Sequence, residues 1–599
     1  MKKTYIKKVL FILLLGFCAA GCHDFLEEDP KGDITTNVVY STEAGYEALI
    51  TSCYSILHDV ANARNLVLMG TDLFTQTPTM TDNVLNDYSA SCLNATNGNI
   101  SAYWDMMYKG IQWCNTAIDR KNDVEGMAET TLNQRYAEAV FLRALYHFFL
   151  VQQFGDIPYR DYEVKGTETD VARAPEATVY ANIISDLESI KNSLPKLSGL
   201  DDDDIGRASW EAVRHLMAQV YLTRGWDYNG KLGVSDSDFT KAAEYADEVI
   251  GSMGDLTLEP AEIYFNDGNI DGEHNDDNSE VIFAFRFSED QSFNTDLYGS
   301  AEDGNSYHGA FNMNLGGLHG ILDNNSFYGI FAFYTASSTC GSNCHQPTQY
   351  ASDILHPEMP GFDKRYSAFY RNVITAEIDE EVTDGDYVYT GDTIVYFPGV
   401  EEGESYADGT VFHSADILAN NPHALIYTPS MYDQGSMNDG IVGFLPLWKH
   451  FEPYATDVGN GTRDLFYMRL AGTYLLSAEA HLKAGNATKA AERYTAVRAR
   501  AIDLSKSPSG VDPDARTATD ITVEDILDER ARELAGEYHR WFDLKRTKTL
   551  YERVIKYNLK ANQAGVLVAD GSDKYYLRPI PQDELENVTN PDFKQNAGY

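Results

Sequence analysis

The sequence predicts a mainly α-helical protein that contains about four tetratricopeptide-like helix pairs and a long, irregular, loop-rich region with short strands. Two observations support the helix pairs. Several long segments carry apolar residues at three- and four-residue steps, and two such segments resemble each other. Residues 255–450 are predicted to be irregular, because they lack this periodicity and are rich in Gly, Asn, Asp and Tyr.

The clearest single helix lies in residues 136–156. Its apolar stripe falls on one helix face and consists of Ala137, Val140, Phe141, Ala144, Leu145 and Phe148. Gly155 follows this stripe and Pro158 lies just beyond, and both residue types end helices. The pattern therefore predicts a long helix that stops at Gly155.

An internal repeat supports the pairing of helices. The stretch "AQVYLTRG" at 218–225 matches "AEAHLKAG" at 478–485, and each is followed by "KAAE", at 241–244 and 489–492. Small residues at this spacing let two antiparallel helices approach closely, as in tetratricopeptide repeats. Less regular pairs combine residues 43–60 with 100–120 and 131–154 with 177–194. We expect three pairs in the N-terminal part and one near 463–503.

Two shorter elements are predicted beyond the pairs. The run "SEVIFAFRF" at 279–287 is apolar and bounded by turn-forming residues, which favours a strand. Thr522 and Asp525 have the spacing of a capping box, so a helix should begin there. On that helix we expect Glu529, Glu533 and Glu537 to lie along one charged face.

The N-terminus has the order of an export signal. Four lysines precede the short apolar run "VLFILLLGF", and Ala19, Ala20 and Gly21 stand directly before Cys22. This arrangement resembles a bacterial lipobox, in which residues 1–21 are removed and Cys22 is lipidated. A plain secretory signal is the alternative. Acyl chains on Cys22 would anchor the chain to a membrane without a spanning segment.

Charge and cysteine content exclude some classes of partner. The formal net charge of −44 repels nucleic acid and anionic headgroups. Apart from Cys18 and Cys22 in the signal region, the chain has five cysteines, which is too few for a disulfide scaffold in a chain of this size. Cys340 and Cys344 could pair with each other, and a metal site there is disfavoured because no second pair of ligands is evident.

Catalytic patterns are absent from the sequence. It contains no G-x-S-x-G, H-E-x-x-H or P-loop motif. Glu529 and Glu533 could suggest the paired carboxylates of a glycosidase, but they lie one helical turn apart beside two arginines. We therefore expect a non-catalytic protein that requires no cofactor.

One loop partly matches a calcium site. "DGNIDG" at 267–272 supplies Asp267, Asn269 and Asp271 at the first three ligand positions, with Gly272 at the turn. The twelfth position is Asn278 rather than a bidentate glutamate. A solvated polar loop is favoured over a structural calcium site.

Several ordered motifs resemble the SusD/RagB family of nutrient-uptake lipoproteins. "ERARELAGEYHRWFDLKR" at 529–546 resembles the C-terminal family signature, and residues 575–599 resemble its terminal segment. Residues 137–159 and 467–480 are similar to two of its helix pairs. The resemblance implies a tetratricopeptide-like superhelix carrying an irregular C-terminal half. It divides the mature chain into a helical-repeat region at 22–254, an irregular insertion at 255–450 and a C-terminal region at 451–599.

The resemblance also implies a function. Proteins of this kind are anchored by lipid to the outer surface of Bacteroides-type cells, capture oligosaccharides and act as the lid of a SusC-like, TonB-dependent transporter. The acidic residues after Cys22 resemble their surface-export tag. The same architecture could instead serve peptide or glycoprotein uptake, and a lipid-anchored hydrolase is a third, less favoured hypothesis.

Two loop regions carry the side chains that glycan capture needs, namely aromatic faces for sugar C–H groups and polar groups for hydroxyls. All six tryptophans fall in or beside scaffold segments, so a binding surface would use Tyr, Phe and His. The candidate ligand-binding residues are Asp72, Phe74, Asn83 and Tyr88 in the first loop and Tyr298, Asn305, Tyr307, His308 and Phe311 in the second. Ordinary loop packing is the alternative for each of them.

Overall fold

The computed structural model describes residues 36–77, 85–201, 204–270, 272–288, 305–311, 345–376, 379–383, 386–432, 437–438, 441–452, 461–563, 565–568 and 572–599. Its α-helices are α1 Thr36–Tyr40, α2 Glu43–Asn62, α3 Asn65–Leu68, α4 Gly98–Arg120, α5 Glu129–Phe154, α6 Glu176–Ile190, α7 Trp210–Trp226, α8 Asp238–Met253, α9 Tyr307–Ala310, α10 Gln349–Asp353, α11 Arg365–Phe369, α12 Ser414–Leu418, α13 Pro429–Tyr432, α14 Leu470–Lys483, α15 Ala487–Ala501, α16 Val523–Leu534, α17 Arg540–Arg546, α18 Leu550–Tyr557 and α19 Gln582–Asn587. Among the described residues, none of these helices has the length and apolar character needed to span a membrane.

All four predicted helix pairs are present. Helix α2 packs on α4, α5 on α6, α7 on α8, and α14 on α15. The pairs also pack on one another in a row, since α4 contacts α5, α6 contacts α7 and α8 contacts α14. The fourth pair thus continues directly from the third, although residues 254–469 separate the two along the chain. The mainly α-helical, tetratricopeptide-like fold is confirmed, while the limits of the predicted regions stay predictions.

Small residues set the spacing of the helices, as the repeat indicated. At Gly110 on α4, an added Cβ would lie 2.8 Å from the Tyr146 ring of α5 and 3.2 Å from Ile56 of α2. The Tyr146 hydroxyl donates to the backbone oxygen of Cys53 at 2.6 Å, so its ring is held in place. Only glycine lets the three helices approach this closely.

The predicted helix signals are confirmed at two ends and wrong at a third. Helix α5 ends at Phe154 with Gly155 at φ +73°, and both hydrogen bonds of the Thr522–Asp525 capping box are present. Helix α16, however, ends at Leu534, and Gly536 turns the chain with φ +77°. Glu537 therefore lies beyond the helix and does not continue the face that carries Glu529 and Glu533.

The strands are short and form small sheets. They are β1 Phe74–Gln76, β2 Val281–Phe285, β3 His345–Pro347, β4 Val373–Thr375, β5 Glu380–Thr383, β6 Asp386–Val388, β7 Thr393–Tyr396, β8 Leu425–Ile426, β9 Met437–Asn438, β10 Ile441–Val442 and β11 Leu465–Arg469. The predicted strand is β2, which pairs antiparallel with β11 so that Phe285 lies opposite Leu465. Strand β1 pairs antiparallel with β3, β5 with β6 and β9 with β10, and the one three-stranded sheet among the described residues has the order β4-β7-β8.

A buried cluster of charges joins the superhelix to the C-terminal region. We call Arg365, Arg469, Glu529, Glu533 and Glu537 the ionic centre; all five side chains are buried. Arg365 contacts Glu529 at 2.7 Å and Glu533 at 3.0 Å, while Arg469 contacts Glu533 at 2.7 Å and Glu537 at 2.9 Å. These residues come from α11, β11, α16 and the turn after α16, so the cluster fixes four separate elements together.

Candidate functional site

The two predicted ligand loops meet in space. The ring of Phe74 in β1 packs against the segment that contains Tyr307 and Phe311, while the backbone of β1 pairs with β3. The ring centroids of Phe74 and Phe311 are 5.3 Å apart, and those of Tyr307 and Phe311 are 5.7 Å apart. The structure thus brings three of the predicted residues into one cluster.

Two histidines complete this cluster. His345 lies 5.3 Å from Phe311, and His450 lies 5.4 Å from Phe311 and 5.1 Å from Tyr307, measured between ring centroids. We call Phe74, Tyr307, Phe311, His345 and His450 the aromatic floor.

The aromatic floor is apolar, and the His450 side chain within it is uncharged. Burial, followed by the nearby charges of Lys449 and Arg463, keeps the pKa of His450 well below its ordinary value. The guanidinium of Arg64 lies 5.3 Å from the centre of the Tyr307 ring and donates to Ser306 at 2.7 Å. Burial raises the pKa of Tyr307 well above its ordinary value, and its hydroxyl has no hydrogen-bond partner among the described residues.

Three predicted residues have partners inside the protein. Asp72 is buried and accepts hydrogen bonds from Arg540 at 2.6 and 2.7 Å and from Arg553 at 2.6 Å. Burial alone would raise the pKa of Asp72, but the two guanidinium groups outweigh it and lower this pKa. The hydroxyl of Tyr88 donates to Gly70, and the amide of Asn305 donates to the backbone of Arg463. These contacts are structural, and ligand contact by these residues stays a prediction.

Other predicted residues lie outside the described part of the chain. They are Cys22, Asn83, Asp271, Tyr298, Cys340 and Cys344. His308 lies within the short helix α9, and only the backbone of this residue is described. The lipidation, the Cys340–Cys344 disulfide and the roles of Asn83, Tyr298 and His308 therefore stay predictions.

The calcium loop is only partly described. Asp267 lies in a short 3₁₀ turn, Asn266–Gly268, with φ +54°, and Asn269 follows this turn. Across the described ranges, no group of three or more His, Cys, Asp or Glu residues is arranged to hold a metal ion. A structural calcium ion at this loop stays a prediction.

The paired carboxylates of Glu529 and Glu533 belong to the ionic centre. Burial alone would raise the pKa of Glu529, but Arg365, Arg498 and Arg532 outweigh it and lower this pKa to about 2. Arg500, Arg469 and Arg365 likewise outweigh burial at Glu533 and lower its pKa further. A carboxyl that stays ionised cannot protonate a leaving group, so this pair does not supply the general acid of a glycosidase.

A separate open cleft of about 510 Å³ lies between α4, the loop 158–171 and α19. Its polar side chains are largely engaged, because the Tyr108 hydroxyl donates to Pro158 at 2.8 Å and Arg160 pairs with Glu168 at 2.6 Å. Trp104 is only 2% exposed, and the rings of the aromatic floor are buried as well, so exposure does not separate the two places. The aromatic floor is the better candidate site because it brings together three of the predicted ligand residues.

Comparison with known proteins identifies the family. The sequence profile described as "SusD family" matches residues 279–599, more than half of the chain. The chain belongs to the SusD family. A second profile, described as "Starch-binding associating with outer membrane", matches residues 24–222.

Relatives in the SusD family are similar over nearly the whole chain. SusD-like protein P2 of Formosa agariphila is 26% identical over 612 residues, which cover 99% of both proteins. The starch-binding protein SusD of Bacteroides thetaiotaomicron is 26% identical over 500 residues, which cover 80% of this chain and 75% of that protein.

Solved structures share the SusD fold. Surface glycan-binding protein A from Bacteroides thetaiotaomicron, in complex with laminarihexaose, has a TM-score of 0.63 and 18% identity; the match covers 93% of this chain and 99% of that chain. A laminarin-binding SusD-like protein has a TM-score of 0.61 and 22% identity, and the match covers 94% of this chain and 100% of that chain. At these identities the likeness shows the fold.

Sequence reasoning missed three residues at the floor. Arg64 lies between α2 and α3, His345 begins β3 and His450 lies in a turn between β10 and β11, and none carries a local motif. His345 and His450 fall inside the irregular region at 255–450, where no periodic pattern marks them. The residues meet through contacts between segments far apart in the chain, since Arg64 and His450 both lie beside the Tyr307 ring.

Proposed function

We propose that this protein is a non-catalytic, lipid-anchored glycan-binding protein of the cell surface, which captures oligosaccharides and acts as the lid of a SusC-like, TonB-dependent transporter. The observation that carries the proposal is the aromatic floor, where Phe74, Tyr307 and Phe311 meet although they come from two distant segments.

The chemistry of the floor suits a neutral sugar. Aromatic rings pack on the apolar faces of sugars, and a few polar groups then select hydroxyl groups. The Tyr307 hydroxyl is buried without a partner among the described residues, so a ligand hydroxyl or a bridging water is expected to complete its hydrogen bonding. Relatives whose names state starch or laminarin binding support the same ligand class.

Anchoring and the transporter partnership rest on the N-terminus and on the family. Cys22 follows the lipobox-like "AAG", and acyl chains there would place the protein at the outer membrane. The profile that matches residues 24–222 is described as associating with the outer membrane. Binding at the floor would concentrate the ligand at the transporter mouth, and closure of the lid would pass it inward.

The proposal is tested by calorimetric titration of the chain from His23 onward. The titrants are neutral oligosaccharides, acidic oligosaccharides and peptides. We expect heats of binding for one neutral glycan class, with a dissociation constant in the micromolar to millimolar range. Heats for peptides alone would favour peptide uptake, and release of reducing sugar would favour a hydrolase; either result would overturn the proposed ligand or chemistry.

A conservative variant tests the position of the site. Tyr307→Phe removes only the hydroxyl, so the aromatic ring and its packing remain. We expect weaker binding of the identified glycan by roughly tenfold, as for a lost hydrogen bond of about 1.4 kcal/mol. Tyr46→Phe is the matched control, because its buried hydroxyl donates to Ala117 at 3.0 Å on the superhelix. Equal affinities for the two variants would place the ligand elsewhere.

A further inference from the structure

Two neighbouring tyrosines stand exposed on the hairpin formed by β5 and β6. The side chains of Tyr387 and Tyr389 are 46% and 57% exposed, whereas most tyrosines of the described chain are buried or half-buried. Side chains two residues apart on an extended segment lie on the same face. Large aromatic groups exposed together are uncommon on a soluble surface, and they mark contact sites more often than isolated ones do.

The two rings form an ordered pair. Their centroids are 6.1 Å apart and their planes differ by 21°, within the range of interacting aromatic pairs. At this separation the rings do not cover each other fully, and much of each ring stays open to solvent. A chain of sugars that passes over the hairpin would therefore meet two aromatic surfaces in nearly the same orientation.

The backbone beneath the pair is firmly held. The N–H of Tyr389 donates to the Asp392 carboxylate at 2.8 Å. Ala376, which follows β4, exchanges two hydrogen bonds of 2.9 Å with the turn, one from Gly391 and one to Asp392. Gly391 has φ +93°, which permits the tight turn. A fixed pair of rings binds with a smaller loss of conformational entropy than a mobile pair.

The negative charge of this segment favours a neutral ligand over an anionic one. Residues 376–392 contain seven acidic residues, at 377, 379, 380, 381, 384, 386 and 392, and no Lys or Arg. An anionic polysaccharide would be repelled here. Carboxylates accept hydrogen bonds from sugar hydroxyls, so a segment that is rich in acidic residues and carries exposed aromatic rings suits a neutral polysaccharide.

We propose that Tyr387 and Tyr389 form a second carbohydrate contact, outside the aromatic floor, that holds long neutral polysaccharides. This inference rests on the proposed glycan-binding function. A short oligosaccharide occupies one contact only, whereas a long chain occupies both. Simultaneous contact makes the second binding event intramolecular and raises the apparent affinity for the polymer without changing the affinity for the oligomer.

The test compares polymers with oligomers of the same sugar. Native gels containing laminarin or starch measure retardation by the polymer, and calorimetry with laminarihexaose or maltohexaose measures the oligomer. For the polymer that the unmodified protein binds, we expect Tyr387→Ala/Tyr389→Ala to lower affinity at least tenfold and to leave oligomer affinity within twofold. Tyr387→Phe/Tyr389→Phe keeps both rings and should retain most of the polymer binding.

Tyr162→Ala is the matched control. Tyr162 is 45% exposed but has no neighbouring aromatic partner among the described contacts, and its hydroxyl donates to Glu168 at 2.8 Å. This variant should bind polymer as the unmodified protein does. Unchanged polymer binding by the double alanine variant would overturn the second contact and leave the proposed function standing. If the unmodified protein binds neither polymer nor oligomer, both the glycan assignment and this inference fail.

Discussion

The ionic centre and the aromatic floor are both buried, and both are assembled from distant parts of the chain, but they differ in how their polar groups are satisfied. In the ionic centre, every carboxylate meets at least two cations, as when Glu537 binds both Arg469 and Lys449. In the floor, the Tyr307 hydroxyl has no partner among the described residues. A buried cluster whose polar groups are all paired serves the fold, whereas an unpaired buried hydroxyl is a group whose hydrogen bonding a ligand or a water could complete.

The largest expected effect is at the ionic centre. Arg469→Met leaves Glu533 and Glu537 buried with one cation fewer, and we expect a loss of about 3–5 kcal/mol in the free energy of unfolding. Urea unfolding measures it. Arg516→Met is the control, because Arg516 pairs with Asp525 at 2.7 Å near the surface and should cost about 0–1 kcal/mol. Equal losses for both variants would contradict a structural role specific to the buried cluster.

The second-largest expected effect is the loss in acid of the stability that the ionic centre contributes. The pKa values of Glu529 and Glu537 lie at about 2 in the folded chain, below their ordinary value of 4.5. Because the folded pKa is depressed, this contribution to stability is fully present above pH 4.5 and is lost as the pH falls towards 2. Urea midpoints measured between pH 7 and pH 3 should fall. For Glu529→Gln the urea midpoint should fall less steeply as the pH is lowered. A fall parallel to that of the unmodified protein would contradict a contribution of the Glu529 carboxylate to the pH dependence.

The smallest expected effect distinguishes a buried tyrosine hydroxyl that has a hydrogen-bond partner from one that has none among the described residues. Tyr146→Phe removes a buried hydrogen bond to Cys53 and should cost about 0.5–1.5 kcal/mol. Tyr307→Phe removes a buried hydroxyl that has no described partner, so stability should stay the same or rise. Thermal unfolding of the ligand-free chain checks both variants. A loss at Tyr307 as large as that at Tyr146 would mean that the floor is already satisfied internally.

The sequence predicted those parts of the fold that depend on local patterns. Helix pairs follow from apolar spacing within 20 to 30 residues, and the capping box at Thr522 needs only four residues. The same reasoning wrongly placed Glu537 on helix α16. The spacing of the three glutamates fits a continuing helix and gives no sign that α16 ends at Leu534 and that Gly536, with φ +77°, redirects the chain.

From the sequence, the candidate site could be predicted only as two separate loops and not as one cluster. Phe74, Tyr307 and Phe311 were recognised from their chemistry, but they meet through a contact between the Phe74 and Phe311 rings across about 240 residues of chain. Asp72 was assigned to a ligand because it stands in a polar loop. Its partners, Arg540 and Arg553, lie more than 450 residues away, and no spacing rule connects them.

The pairing of β2 with β11 has a consequence for how this architecture can diversify. Phe285 lies opposite Leu465, so the chain between them departs from and returns to this sheet at adjacent points. The entropy of closing such an excursion grows only logarithmically, by about 0.6 kcal/mol for each doubling of its length. Arg365 and β3 lie within the excursion and bind the rest of the protein, so they would have to be kept. Segments without such contacts could be lengthened, shortened or exchanged at small cost in closure entropy, and recognition could diversify on a constant scaffold.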